Sequence, residues 1–177
     1  MCFKQIKNKI MIKKIFVLAT MIISTLGCAQ KEETTFKNES LNYVLKTTED
    51  KPISFQEIVK KHEGKTIFIE LWASWCSDCI KAMPEVKKLN QTYGKDVVFV
   101  NLSFDKTSEK WIQGIEKYEV EGENYFIGDN MKGTFGKSLD VDWIPRYLIV
   151  DKTGKIVLYR AIEKDFDKIK EVLNKVK

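Results

Sequence analysis

Histidine and cysteine are scarce in this chain, and their scarcity removes whole classes of function. Its 177 residues hold one histidine, His62, and four cysteines, Cys2, Cys28, Cys76 and Cys79. A structural zinc site takes four ligands, usually cysteine and histidine. With the two N-terminal cysteines set aside, only His62 and carboxylates stand beside Cys76 and Cys79, so no metal is expected. His62 itself, between Lys61 and Glu63 near a helix end, reads as a solvated residue without a catalytic role. A bilayer-spanning run is missing too, because the apolar stretch from Ile15 to Leu26 is about 12 residues long where a spanning helix needs roughly 20. There is no internal repeat and no low-complexity tract. Excess charge of one sign is also lacking, although the formal net charge is +5. The first 27 residues carry Lys4, Lys7, Lys9, Lys13 and Lys14 and no acid, and without them 25 basic residues face 25 acidic ones. A near-neutral domain gives no electrostatic case for binding nucleic acid.

What the N-terminus does have is a basic stretch, then an apolar one, then Gly27-Cys28, the layout of a secretory signal. Leu26-Gly27-Cys28 resembles the lipobox of bacterial lipoproteins, in which the cysteine is lipidated, with Thr25 where leucine is usual. An ordinary cleaved signal peptide is the alternative. Met11-Ile12-Lys13-Lys14 makes the more typical signal start. Ala29-Gln30-Lys31-Glu32-Glu33 resembles the surface-export signals of Bacteroidetes lipoproteins, but reads first as a solvated tether. The expected organisation is a signal peptide over 1–27, lipid attachment and tether over 28–40, and one domain over 41–177, placed in the cell envelope and facing periplasm or cell surface. A hydrophobic content of 44% suffices for its core.

Within that domain, Thr66 to Trp72 is an apolar run rich in β-branched and aromatic residues, which predicts a strand buried on both faces. Ile80, Met83, Val86 and Tyr93 then recur at helical spacing. At the junction stand Trp75-Cys76-Ser77-Asp78-Cys79. A helix N-terminus offers unpaired N–H groups and the positive end of the macrodipole, which makes Cys76 the more acidic sulfur. Cys79, nearly one turn on, lies within disulfide reach. One thiol can attack and the other resolve. Exported proteins live where disulfides persist, and a single close CxxC there is redox-active more often than structural.

The remaining pattern alternates strand and helix, which predicts a largely parallel core. Leu41 to Lys46 reads as an edge strand, and Thr34 to Ser40 as linker. Ser54-Phe55-Gln56-Glu57 has capping-box form, with Phe55, Ile58 and Val59 facing inward and Gly64 ending the helix. Val97 to Ser103 is a second buried strand; Trp111, Ile112, Ile115 and Tyr118 mark a helix, Asn124 to Ile127 a short strand. Met131, Phe135 and Leu139 mark a helix weakened by Gly133 and Gly136. Arg146 to Val150 and Lys155 to Tyr159 predict a hairpin, and Phe166, Ile169, Val172, Leu173 and Val176 a closing helix.

From about Leu41 onward the chain resembles the thioredoxin superfamily and, within it, the exported, membrane-tethered TlpA/ResA-like thiol–disulfide oxidoreductases. The resemblance rests on the strand leading into Trp72-Ala73-Ser74-Trp75-Cys76-Ser77-Asp78-Cys79, on Met83-Pro84, on Trp143-Ile144-Pro145, and on Ile149 to Lys155 as a hairpin. It implies an α/β thioredoxin-like fold, a central mixed sheet flanked by helices on both faces. It implies Cys76 as nucleophile, Cys79 as resolving thiol, and no cofactor beyond their disulfide. A carboxylate inside a buried apolar strand is costly unless paired or protonated. Glu70 lies six residues before Cys76, where thioredoxins carry a buried aspartate, and by resemblance takes the proton of Cys79; the alternative is a solvent-facing residue at a sheet edge. Pro145 should be cis, with the Ile144 backbone binding substrate as an added strand and Trp75, Ser77 and Asp78 meeting substrate beside the sulfurs. Trp72 and Trp75 would shield the motif or serve as plain core. Pro84 should kink its helix.

The implied partners are disulfides of exported proteins, including apocytochrome c, and a membrane dithiol that donates electrons to an anchored monomer. Ser77-Asp78 replaces the Gly-Pro of thioredoxin, and negative charge at Asp78 destabilises the Cys76 thiolate, which favours reductase over oxidase. A copper-carrying relative would present CxxxC and a later histidine, whereas none follows Cys79. A peroxidase would have threonine where Ala73 stands. Two readings stay beside the reductase: an oxidase or isomerase of exported thiols, and a non-catalytic module that binds through the Pro145 face.

Overall fold

A computed structural model describes residues 33–177. Cys2, the expected signal peptide over 1–27 and the expected lipidation position Cys28 lie outside the described residues. In chain order the elements are α1 (Asn38–Leu41), β1 (Val44–Lys46), β2 (Pro52–Ser54), α2 (Phe55–Lys61), β3 (Thr66–Trp72), α3 (Ser77–Tyr93), β4 (Val97–Ser103), α4 (Ser108–Tyr118), β5 (Glu123–Phe126), α5 (Thr134–Ser138), β6 (Arg146–Val150), β7 (Ile156–Ala161) and α6 (Phe166–Val176).

All seven residues of β3 are buried, and the strand sits near the middle of a seven-stranded mixed sheet of order β2-β1-β5-β4-β3-β6-β7. β3, β4 and β5 run parallel, while β6, β7, β1 and β2 are antiparallel to their neighbours. The parallel trio is the strand-and-helix alternation read from the sequence; in each flank a short hairpin joins the outer strand to its neighbour, β2 to β1 and β7 to β6. Successive side chains of a strand point to opposite faces. Phe68 accordingly packs with Phe99, Leu89 and Tyr93 of α3, and Ile169 and Leu173 of α6. Ile67, Ile69 and Leu71 pack on the other face with Phe55 and Ile58 of α2, Trp111 of α4 and Phe135 of α5. Each such side chain, once fully buried, contributes about 1.5–3 kcal/mol, so the core clamps β3 from both sides.

Local signals account for the ends of the elements. The capping box at the start of α2 is complete, with Ser54 Oγ accepting from Glu57 N and the Glu57 carboxylate accepting from Ser54 N at 2.8 Å. α3 runs on through Pro84 without a break. Three expectations are corrected. β1 is not the edge strand: β2 lies outside it, beginning at Pro52, whose missing N–H suits an edge. The last part of the expected tether, Thr34 to Ser40, packs onto the domain. Thr34 O accepts from Ile156 N, Phe36 stacks edge-on against Phe55, and Ser40 is fully buried in α1. Its polar composition hid one aromatic anchor, Phe36, and a four-residue helix too short to show periodicity. The expected 131–139 helix contracts to α5, where Gly136 lies so close to Met131 that an added Cβ would meet its carbonyl oxygen at 2.0 Å.

Candidate active site

β3 delivers the chain to the top of the sheet, and a buried aspartate turns it. Asp105, 2% exposed, accepts from Ser74 N at 3.1 Å, from Ser74 Oγ at 2.7 Å and from Ser103 Oγ at 2.8 Å. The far side of this turn is met by α4 at Gly114, where a Cβ would come within 2.7 Å of Ser74 Cβ. Only glycine lets the helix approach so closely. Neither residue stands out in the sequence; the one signal is an acid two residues past the end of the buried strand β4.

The turn places Cys76 at the N-cap of α3, with Cys79 N donating to Cys76 Sγ at 3.1 Å. The two cysteines form a disulfide, their Cα atoms 5.3 Å apart. Cys79 is fully enclosed and Cys76 is 6% exposed. Only Cys76 opens on a cleft of about 200 Å³, which is also lined by Trp75, Ser77, Asp78 and Ile144. The Ile144 carbonyl oxygen lies 3.5 Å from Cys76 Sγ, and the Ile144–Pro145 peptide is cis. The structure thus gathers the residues singled out around the sulfurs, with Pro145 buried behind them. It adds two that sequence reasoning did not assign, Met131 and Trp143. Trp143 is 56% exposed and Trp75 50%, so two indole rings stand open beside the reactive sulfur. Large exposed aromatics of this kind mark contact surfaces. Trp72 is fully buried, in the same core cluster as Cys76 and Cys79. Asp78 does not present an uncompensated charge, because Lys81 Nζ lies 3.2 Å from its Oδ1.

Behind α3, Glu70 is 1% exposed, on the central strand and not at a sheet edge. Its strand neighbours are Asn101 on β4 and Tyr147 on β6. Glu70 Oε1, Asn101 Oδ1 and Tyr147 Oη have no hydrogen-bond partner among the described residues. Burial without a compensating partner lifts the Glu70 carboxyl to about 8. The same burial, with Glu70 and Glu163 nearby, raises the Tyr147 hydroxyl. A second cleft, about 330 Å³, reaches Glu70 and Asn101 between Ile80, Met83 and Pro84 of α3 and the Tyr118 to Glu121 segment.

His62 corrects an expectation. It is 7% exposed, and its Nε2 lies 3.0 Å from Glu123 Oε2. Lys61 Nζ, 2.8 Å from Glu123 Oε1, and Tyr125 Oη, 2.7 Å from Oε2, complete the group. Partial burial works to raise the Glu123 carboxyl, but the bonds from Lys61, Tyr125 and His62 outweigh it and bring it down to about 2. The lysine and glutamate flanking His62 in sequence suggested solvent; its partner is 61 residues away on β5, which local composition cannot reveal.

Comparison with known proteins places this geometry. The profile of a thioredoxin-like family matches residues 64–156, from the start of β3 through the CxxC motif and the Pro145 loop to β7. The chain belongs to the thioredoxin-like family. Among its relatives is the thiol-disulfide oxidoreductase ResA of Bacillus cereus, 27% identical over 176 residues that span 96% of this chain and 98% of the relative. A solution structure of a candidate thiol-disulfide oxidoreductase from Bacteroides vulgatus is 30% identical, covering 75% of this chain and 84% of that one with a TM-score of 0.62. A crystal structure of a candidate DsbE thiol:disulfide interchange protein from Chlorobium tepidum shares the fold at 17% identity and a TM-score of 0.66, over 82% and 99% of the two chains. With its disulfide at the N-cap of α3, this thioredoxin-like protein is a thiol–disulfide oxidoreductase of the CxxC type.

Proposed function

We propose that this thioredoxin-like oxidoreductase reduces disulfides of exported proteins, working from a lipid anchor at Cys28 and drawing electrons from a membrane dithiol. The observation that carries the reading is the inequality of the two sulfurs: Cys76 opens to the cleft beside Trp75 and Trp143, and Cys79 is enclosed. In the reduced protein the Cys76 thiolate attacks one sulfur of the substrate disulfide, forming a mixed disulfide and releasing the other substrate sulfur as a thiolate. Glu70, ionised, takes the proton from Cys79. The Cys79 thiolate then attacks Cys76 Sγ, closing the Cys76–Cys79 disulfide and freeing the second substrate thiolate, which water protonates. Two electrons pass to the substrate, and a donor dithiol restores the pair by the reverse exchange. A carboxyl held near 8 is ionised often enough at neutral pH to act as base and is basic enough to take a thiol proton. The Ile144 backbone, Ser77 and Asp78 meet the substrate segment at the cleft, and apocytochrome c is one substrate of this kind.

The Lys81 pairing of Asp78 supports a second reading, an oxidase, since it offsets the charge that would make the pair strongly reducing. The reduction potential of the Cys76–Cys79 couple separates the two. A value near about −270 mV or below fits the reductase, and one nearer about −120 mV fits the installation of disulfides. The mass of the exported protein tests the anchor: an unlipidated N-terminus removes Cys28 from the proposal.

A further inference from the structure

Lysine supplies nearly all the positive charge of this chain, with 28 residues against two arginines. Both arginines reach one carboxylate. Arg146 Nη2 donates to Asp142 Oδ1, and Arg160 Nη2 donates to Asp142 Oδ2 at 2.7 Å. Arg146 Nη1 also donates to the Arg160 carbonyl oxygen at 2.8 Å. Asp142 and Arg146 stand at the two ends of a five-residue segment, so their pairing closes it, and Arg160 ties the closed segment to β7. Between those ends lie Trp143, exposed on the Cys76 cleft, Ile144, whose carbonyl faces Cys76 Sγ, and Pro145.

The arrangement needs arginine. A planar guanidinium offers several donors in fixed directions, whereas an ammonium is a point charge on a flexible stem. Arg146 serves a carboxylate and a carbonyl with separate nitrogens while only 7% exposed. Burial lowers its pKa, and the charge of Asp142 counters that. Partial burial pushes the Asp142 carboxyl up, but a backbone bond and the two guanidinium charges outweigh it and hold the group below its ordinary value. Arg160 sits at φ 61°, a left-handed conformation unfavourable to a residue with a side chain. The register between β6 and β7 shifts beside it, where Tyr147 pairs with Ala161 but Ile149 with Leu158. The strand is thus bent where its carbonyl meets Arg146.

We propose that Asp142, Arg146 and Arg160 form a clasp that presets the Trp143-Ile144-Pro145 segment for a polypeptide, making them positioning residues that set affinity for protein disulfides rather than the rate of attack at sulfur. The proposal holds for either direction of electron flow. It is tested on the full chain by steady-state reduction of insulin with dithiothreitol as electron source, beside bis(2-hydroxyethyl) disulfide, which is too small to span the cleft. Asp142→Asn should raise the KM for insulin about tenfold while kcat and the small-disulfide rate stay within about twofold. Arg160→Lys alters a side chain 38% exposed, keeps the charge and loses the fork; it should raise KM about threefold. An unchanged insulin KM in Arg160→Lys overturns the clasp even if Asp142→Asn does not fold. A parallel loss on both substrates overturns it equally.

Discussion

Two glutamates on strands of the same sheet meet opposite fates. Glu123 on β5 gathers Lys61, His62 and Tyr125 about its two oxygens, and its carboxyl falls to about 2. Glu70 on β3 is more deeply buried, has one oxygen without a partner among the described residues, and its carboxyl rises to about 8. The first is fixed as an anion in a polar lock that joins α2 to the sheet. The second can change its proton near neutrality and sits behind the helix that begins at the redox pair. A fold seldom leaves a buried polar atom unsatisfied without a use for it, and the contrast supports the proposed use of Glu70 as the base for Cys79.

The largest effect expected from breaking the contrast is kinetic. Glu70→Gln should slow resolution of a mixed disulfide by about 10²-fold, the usual scale for a general base. The wild-type rate should rise with pH through about 8, whereas the variant should show no such rise. Stopped-flow decay of a mixed disulfide at Cys76 checks both, and equal rates across the range would remove Glu70 from the mechanism.

Stability should separate the two carboxylates next. The folded state raises the Glu70 pKa above its unfolded value, so the stability it confers is complete below the ordinary carboxylate value of 4.5 and is lost as pH rises to about 8. Across that window the slope is at most ~1.4 kcal/mol per pH unit, and Glu70→Gln should abolish it in denaturant melts of the oxidised protein. Glu123 carries the opposite sign. Its stabilising bonds are present above 4.5 and fade as pH falls towards about 2. Glu123→Gln should cost about 1–2 kcal/mol at pH 7, the worth of charge-assisted bonds on a part-exposed group. Insulin reduction should be unaffected, and a loss of activity in that variant would mean that the lock reaches the active site.

Sequence showed one of these glutamates and missed the other, for a physical reason. Glu70 breaks an apolar run, so its burial and its cost are visible in seven consecutive residues. Glu123 lies in an unremarkable polar segment, and its partners, Lys61 at the end of α2 and His62 at its C-cap, are 62 and 61 residues away. β3, β4, the hairpin and α6 were legible because their periods are local; β2 and α1 were not, being three and four residues long. At the site, the sulfurs and the Pro145 loop carry short-range signatures. Trp143 and Met131 become part of it only when their loops fold over Cys76, and Asp105 only when β4 lines up beside β3.

The smallest expected effect concerns Asp78, where the Glu123 pattern of a paired acid recurs in miniature. Lys81 lies one turn along the exposed side of α3, 3.2 Å from Asp78 Oδ1, and screens the charge that would otherwise press on the Cys76 thiolate. Removing the lysine by Lys81→Gln should unmask Asp78, destabilise the reduced form and make the couple more reducing. Removing Asp78 by Asp78→Asn should do the reverse. Because both side chains contact solvent, each shift should stay below about 30 mV, the equivalent of ~1.4 kcal/mol for two electrons. Opposite signs in the two variants, measured by equilibration with glutathione, are the expected outcome. No shift in either variant would mean that the helix N-terminus alone sets the stability of the thiolate, and shifts of the same sign would mean that Asp78 and Lys81 act through backbone geometry rather than charge.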